Sequence, residues 1–267
     1  MREEIAGRHA LVTGAAQGIG AATAARLREA GARLSLVDRQ PIADEDAIEC
    51  DLTSPKEVER AVTNARKRHG PVDILVNNAG VMLPGDFDRR DMTDWEKTLE
   101  VNLRGALRLS HALLPSMLER DQGVIVNVVS ASATIGVPGI AVYSATKWAL
   151  WGFTEALIGE LRNRRSRVHV AAVLPNFIRT GLFEGAHLTG LGRIIVPRVK
   201  THDVIARAIV EKAIKRRKML IMRPGTVRLA LLFRGILPYF VFVSLSRGLG
   251  AARSMEHLTA PGASEGE

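Results

Sequence analysis

The sequence predicts an α/β fold built on a doubly wound parallel sheet with helices on both faces. Three observations carry this: apolar runs alternate with longer helical patterns from the start, the apolar runs are rich in small and β-branched residues, and no composition break or internal repeat interrupts residues 1–224. Aromatic residues are only 4% of the chain, so Ala, Val, Leu and Ile must build the core.

The elements follow in order. HALVTG reads as a buried strand and IGAATAARLREAG as a helix ending at Gly31. RLSLVD is a second strand, and SPKEVERAVTNARKRHG a helix with Ser54 as N-cap and Pro55 in its first turn. VDILVNNAG is a strand, followed by a long helix over residues 92–120 that Pro115 is expected to bend. GVIVNVVS is a strand, residues 143–165 form another long helix, and VHVAAVLPN is the next strand. Residues 181–200 look irregular, a helix starts near His202, and MLIMRP is a short strand. The expected organisation is one domain over residues 1–224 and an apolar, basic extension over 225–267, whose end from Thr259 is small, polar and expected to be disordered.

Composition excludes several classes. A single cysteine, Cys50, forbids an intrachain disulfide and fits a reducing, cytoplasmic setting; it reads as a small buried hydrophobe. No His/Cys cluster has ligand spacing, so no metal site is expected. MREEIAGRHALVTG has no long apolar run before the first strand, which argues against a signal peptide. The net charge of +9 gathers in Arg162–Arg167, Arg193–Lys200, Lys212–Arg223 and the tail, but no nucleic-acid recognition motif accompanies it. A solvated basic face or an attraction to anionic membrane is the expectation.

TGAAQGIG, Thr13 to Gly20, lies between the first strand and first helix, where a dinucleotide's phosphates bind in a Rossmann fold. Gly14 turns the chain off the strand, Gly18 lets backbone approach the pyrophosphate and Gly20 lets helix pack on sheet, with Gln17 and Ile19 completing the loop. Asp38 ends the second strand, where a carboxylate accepts hydrogen bonds from the adenosine ribose and repels a 2′-phosphate, favouring NAD over NADP. Arg39 follows and offers the opposite preference, although Gln17 gives the loop no second cation.

TGAAQGIG, Asp51-Leu52-Thr53, NNAG at Asn77–Gly80, Asn102, Ser130 and YSATK at Tyr143–Lys147 occur in an order that resembles the short-chain dehydrogenase/reductase family, in its shorter single-domain branch, over roughly residues 5–224. The resemblance implies that Asp51 and Leu52 sit by the adenine and that Asn78, Ala79 and Gly80 line the cofactor. It implies a catalytic set of Asn102, Ser130, Tyr143 and Lys147, with Pro175, Ile178 and Thr180 near the nicotinamide. Asn176 stands where the family usually has glycine; asparagine tolerates unusual backbone angles. Pairing into a homodimer or homotetramer through residues 92–120 and 143–164 is also implied.

The residue chemistry agrees. Tyr143 and Lys147 are four apart, on one helix face, and a neighbouring ammonium together with an oxidised nicotinamide is expected to bring the tyrosine below its ordinary pKa near ~10. Tyr143 then takes an alcohol's proton or returns it to a ketone. Ser130, 13 residues earlier at a strand end, would bond the substrate oxygen, with Ser132 accessory. Asn102 would hold a water linking Lys147 to solvent. Alone, each has a plain alternative: a helix-face pair, a capping amide, a turn serine. Trp148 and Trp151 read as packing or interface residues, and His111 and His169 as structural.

Residues 181–200 are expected to form a lid lined by Leu182, Phe183, Leu188, Leu191, Ile194 and Ile195, with Phe183 on a lipophilic alcohol or ketone. In residues 226–250 the longest uncharged run, Gly235 to Ser246, has 12 residues, short of the ~20 that span a bilayer. An amphipathic segment on a membrane surface and a tail packed on a partner subunit or over the pocket are both open. Two other functions compete with an enzyme: a catalytically idle dinucleotide-binding sensor and a membrane-surface scaffold.

Overall fold

The computed structural model describes residues 4–176, 178 and 199–248. Its centre is a seven-stranded sheet in the order β3-β2-β1-β4-β5-β6-β7, with every pairing parallel. The strands are β1 (His9–Thr13), β2 (Arg33–Asp38), β3 (Ala47–Glu49), β4 (Ile74–Asn77), β5 (Val124–Val128), β6 (His169–Pro175) and β7 (Leu220–Arg223). The strand order reverses between β1 and β4, which opens a crevice at their carboxyl ends. This is the Rossmann arrangement the sequence predicts.

Side-chain alternation sorts the core. Ala10 and Val12 of β1 join the layer that contains Ala24 and Leu27, whereas Leu11 faces the layer of Leu109, Leu113 and Leu157. The first layer holds α1 (Gly18–Glu29) and α6 (His202–Ala208); the second holds α2 (Pro55–His69), α4 (Gly105–Glu119) and α5 (Ala141–Asn163). Strands buried on both faces explain the near-continuous apolar runs. Ser54 caps α2 as expected, its hydroxyl accepting from the Glu57 N–H at 3.3 Å, a contact worth about 1 kcal/mol.

Two features were absent from the sequence reading. The long helix passes through a wide turn, Glu100–Arg104, between α3 (Met92–Leu99) and α4. Pro115 lies at an exposed position inside α4. The three-residue β3 was absent from the sequence reading, because so short a segment carries no period. Beyond β7 the chain forms α7 (Val227–Ile236) and α8 (Tyr239–Gly248), parted at Leu237 and Pro238. The tail from Thr259 lies outside the described residues.

His169, at the start of β6, is buried, and that burial, aided by the nearby Arg217 guanidinium, pushes its pKa down to about 4 from 6.5. An unfolded chain therefore binds a proton between these values that the folded chain refuses, so stability must fall as pH drops from 6.5 toward 4. Burial lowers His9 in the same direction. Urea unfolding at pH 7 and pH 5 should show a smaller loss for His169→Leu than for the natural protein; equal losses would remove His169 from this account.

Candidate active site

A cleft of about 460 Å³ opens at the carboxyl ends of the strands, where β1 and β4 diverge. Most residues predicted to meet a cofactor line it: Gly14, Gln17, Gly18 and Ile19 after β1, Asp38 and Arg39 at the end of β2, and Asp51 and Leu52 after β3. From the other side come Asn78, Ala79 and Gly80 after β4, Tyr143 and Lys147 on α5, and Pro175 and Ile178 at the end of β6. Thr180, Phe183 and the rest of the expected lid, Leu182, Leu188, Leu191, Ile194 and Ile195, lie outside the described residues.

The first loop is shaped by close approach. Gly14 and Gly18 have φ of +65° and +62°, the left-handed region that glycine enters without strain. Gly20 does not line the cleft; it lies beneath the loop, where a Cβ would sit 1.9 Å from the Gly14 carbonyl oxygen. The Thr13 hydroxyl accepts from the Asn78 and Ala79 N–H groups, both at 3.0 Å, and the Asn78 amide donates back to Thr13 O at 2.9 Å. These bonds tie the ends of β1 and β4 together and fix the cleft floor.

The residues suit a dinucleotide. Gln17, before α1, gives the helix no side-chain cap, so its first N–H groups keep their capacity for phosphate oxygens. A Cβ on Gly18 would meet only the His202 ring, at 3.7 Å, which leaves room for backbone approach. The Asp38 carboxylate is oriented by the N–H groups of Ala16 and Gln40, each at 2.9 Å. Asn176, the departure noted in the sequence, is buried in the cleft wall with an amide nitrogen that has no hydrogen-bond partner among the described residues. Such a donor is costly to leave unsatisfied and calls for a polar occupant.

The reactive groups converge from three elements. Tyr143 and Lys147 lie one turn apart on α5, with the ammonium 5.7 Å from the phenol ring centre. Lys147 Nζ donates to the Val128 carbonyl at 3.0 Å, and burial lowers its pKa to about 8. Burial raises Tyr143, opposed by a hydrogen bond with Ser130. In the protein alone, desolvation outweighs the other influences on the phenol; the expected fall below its ordinary value belongs to the complex with an oxidised nicotinamide. Ser130 follows β5, and its hydroxyl accepts from the Ser132 N–H at 3.2 Å.

Asn102 sits in the wide turn Glu100–Arg104. Its carbonyl accepts from the Val81 N–H at 2.7 Å, while its amide donates to Val81 O at 2.9 Å and to Thr146 Oγ1 at 3.3 Å. A Cβ on Gly80 would lie 3.4 Å from Asn102 Oδ1 and 3.5 Å from Lys147 Nζ, so the two polar groups flank that glycine.

Sequence reasoning missed a contact on the substrate side. Trp148 Nε1 donates to Ser132 O at 2.6 Å, and the Arg234 guanidinium lies 4.0 Å over the Trp148 ring while donating to Thr134 O at 2.8 Å. Trp148 is thus more than packing, and α7 reaches the loop that carries Ser130 and Ser132. No local pattern links Arg234 to Thr134, 100 positions earlier. His202 beside Gly18 was missed for the same reason.

Comparison with known proteins agrees with this geometry. Residues 8–189 match the family model described as short chain dehydrogenase. The chain is 30% identical over 260 residues to 17-beta-hydroxysteroid dehydrogenase 13 of Rattus norvegicus, covering 92% of this chain and 84% of that protein. It is 30% identical over 275 residues to epidermal retinol dehydrogenase 2 of Mus musculus, covering 97% and 87%. The crystal structure of 3-ketoacyl-(acyl-carrier-protein) reductase from Brucella melitensis complexed with NADH superposes with a TM-score of 0.74 at 28% identity, over 84% of this chain and 99% of that one.

Gly20→Ala tests the loop. Its methyl must displace the Gly14 carbonyl, so dinucleotide affinity should collapse and the unfolding midpoint fall by on the order of 5 °C. Gly136→Ala, with nothing within 4 Å of the new Cβ, is the control. Unchanged dinucleotide affinity in Gly20→Ala, read by fluorescence titration, would contradict the assignment.

Proposed function

The chain belongs to the short-chain dehydrogenase family and is an oxidoreductase that uses a nicotinamide dinucleotide, and we propose that it interconverts a lipophilic secondary alcohol and its ketone with NAD as its preferred cofactor. The observation that carries the reading is that Tyr143, hydrogen-bonded to Ser130, and Lys147 line the same cleft as the oriented Asp38 carboxylate.

In this reading the loop from Gly14 to Gly20 and the N-terminus of α1 hold the pyrophosphate, and Asp38 bonds the adenosine ribose. Asp51 and Leu52 flank the adenine, Asn78 to Gly80 line the middle, and Pro175, Ile178 and Thr180 border the nicotinamide. The unpartnered Asn176 amide fits the same end. Once bound, the dinucleotide supplies the hydride acceptor or donor. Ser130 fixes the substrate oxygen beside the Tyr143 hydroxyl, with Ser132 and Phe183 toward the rest of the molecule.

Burial keeps Tyr143 protonated in the free protein, ready to donate to a ketone oxygen. In the opposite direction it must accept the alcohol's proton, which the Lys147 charge favours. At about 8, the lysine is poised to exchange its own proton near neutral pH, and Asn102, across Gly80, holds the water that relays it. Lys147 also grips the nicotinamide ribose. The preference for NAD rests on Asp38, whose charge repels a 2′-phosphate and outweighs Arg39 beside it.

The lipophilic substrate is supported by the apolar side chains of residues 181–200 in the sequence, and by the steroid and retinol named for two relatives. Pairing through α4 and α5 into a homodimer or homotetramer completes the proposal.

The test is a panel of steroid-like and retinoid-like alcohols set against sugars and polar hydroxy acids, followed by nicotinamide absorbance with NAD and NADP in parallel. The expected result is kcat/KM at least ~10-fold higher with NAD, about 1.4 kcal/mol of discrimination, and turnover confined to the lipophilic set. Faster turnover with NADP would overturn the cofactor assignment, and turnover of the polar set alone would overturn the substrate class.

A further inference from the structure

Helices α7 and α8 divide their side chains between two environments. Val227 is buried and Leu231 partly so against Leu150, Trp151, Phe153 and Met222, which seats α7 on the body of the protein. The other side of α7 exposes Leu229, Leu232, Phe233 and Ile236 at helical spacing. Across Pro238, Tyr239 and Phe240 are 75% and 72% exposed, and Ile236 before them is 69% exposed. Single exposed apolar residues need no explanation, but a contiguous group of this size does.

Charge narrows the choice of occupant. Residues 212–255 hold ten Lys and Arg and no Asp or Glu, so a chain of net charge +9 is −1 outside this segment. The cations at the base of α7 lie close together in space: Lys212 feels the charges of Arg223, Lys218, Arg216 and Arg228, which with burial lower its pKa. Two copies meeting through this face would bring like charges together. A nucleic acid would match the charge but leave Leu232 and Ile236 in water. An anionic lipid surface matches both, taking the apolar side chains among its acyl chains and the cations at its phosphates. Among the described residues no helix is long and apolar enough to cross a membrane.

We propose that the α7–α8 pair and the basic cluster beside it form a docking surface for anionic lipid bilayers, by which the protein rests on a membrane without spanning it. Arg234 of α7 contacts Trp148 and Thr134, which joins the surface to the segment that follows Ser130 and Ser132. The inference goes beyond the reaction assigned above and is read as binding, so it stands or falls separately from the choice of substrate.

The experiment is co-sedimentation of the full chain with phosphatidylcholine vesicles, with and without phosphatidylserine. Binding is expected on the phosphatidylserine vesicles and should weaken with added salt. The triple variant Ile236→Ser, Tyr239→Ser, Phe240→Ser should lose at least ~10-fold in vesicle affinity while dinucleotide affinity in solution and the unfolding midpoint are retained. Arg216→Glu with Arg228→Glu, both at exposed positions, should lose a similar factor through charge alone and serves if the triple variant misfolds. Equal binding to both vesicle types, no binding, or full binding by either variant would overturn the proposal. So would a dimer in sedimentation velocity that the triple variant converts to monomer, or duplex DNA that displaces the protein from vesicles.

Discussion

The hydrogen bond from the Lys147 ammonium to the Val128 carbonyl is the contact on which the site is organised. It holds a cation inside a cleft wall where water is scarce, and it does so by joining the first turns of α5 to the end of β5. Tyr143 is fixed one turn earlier on the same helix, and Ser130 two residues beyond Val128 on the same strand end. Gly80 lies beside the ammonium, and the wide turn of Glu100–Arg104 brings Asn102 to the other side of that glycine. Sheet, helix and turn therefore meet at one charge, and burial brings its pKa near neutral pH.

Below this point the fold provides stiffness. Asn77 donates to Asn127 Oδ1 at 2.8 Å and to Ser110 Oγ at 3.1 Å, and Asn127 donates to Thr154 Oγ1 at 2.9 Å. This buried network links β4, β5, α4 and α5 just under the cleft. Asn77 Oδ1 has no partner among the described residues, so the network is partly satisfied, but the bonds it makes tie the central strands to the helices above them. Ser130, Tyr143 and Lys147, the groups proposed for catalysis, thus project from elements joined to one another, while the loop after β1 depends on glycine for its close approach.

Much of this was legible in the chain itself. A sheet buried on both faces leaves apolar runs that need no partner information to read, and a four-residue spacing puts Tyr143 and Lys147 on one helix face whatever surrounds them. The wide turn at Glu100–Arg104 was not legible, because it accompanies a side-chain pairing between Asn102 and Val81 that sequence spacing cannot display. The burial that raises Tyr143 in the protein alone was not legible either: the lysine's presence is local information, but the depth of burial is a property of the whole fold. Arg234 on Trp148 joins segments far apart in sequence, so the sequence reading left open whether the tail lies on a membrane, on a partner subunit or over the pocket.

The central claim is that the Tyr143 hydroxyl transfers the substrate's proton. Tyr143→Phe removes only that oxygen, and single-turnover measurement alongside dinucleotide titration separates chemistry from binding. The account predicts a fall in the chemical rate of roughly 10²–10⁴-fold with dinucleotide affinity nearly unchanged. A variant that reduces ketone at close to the natural rate would contradict it.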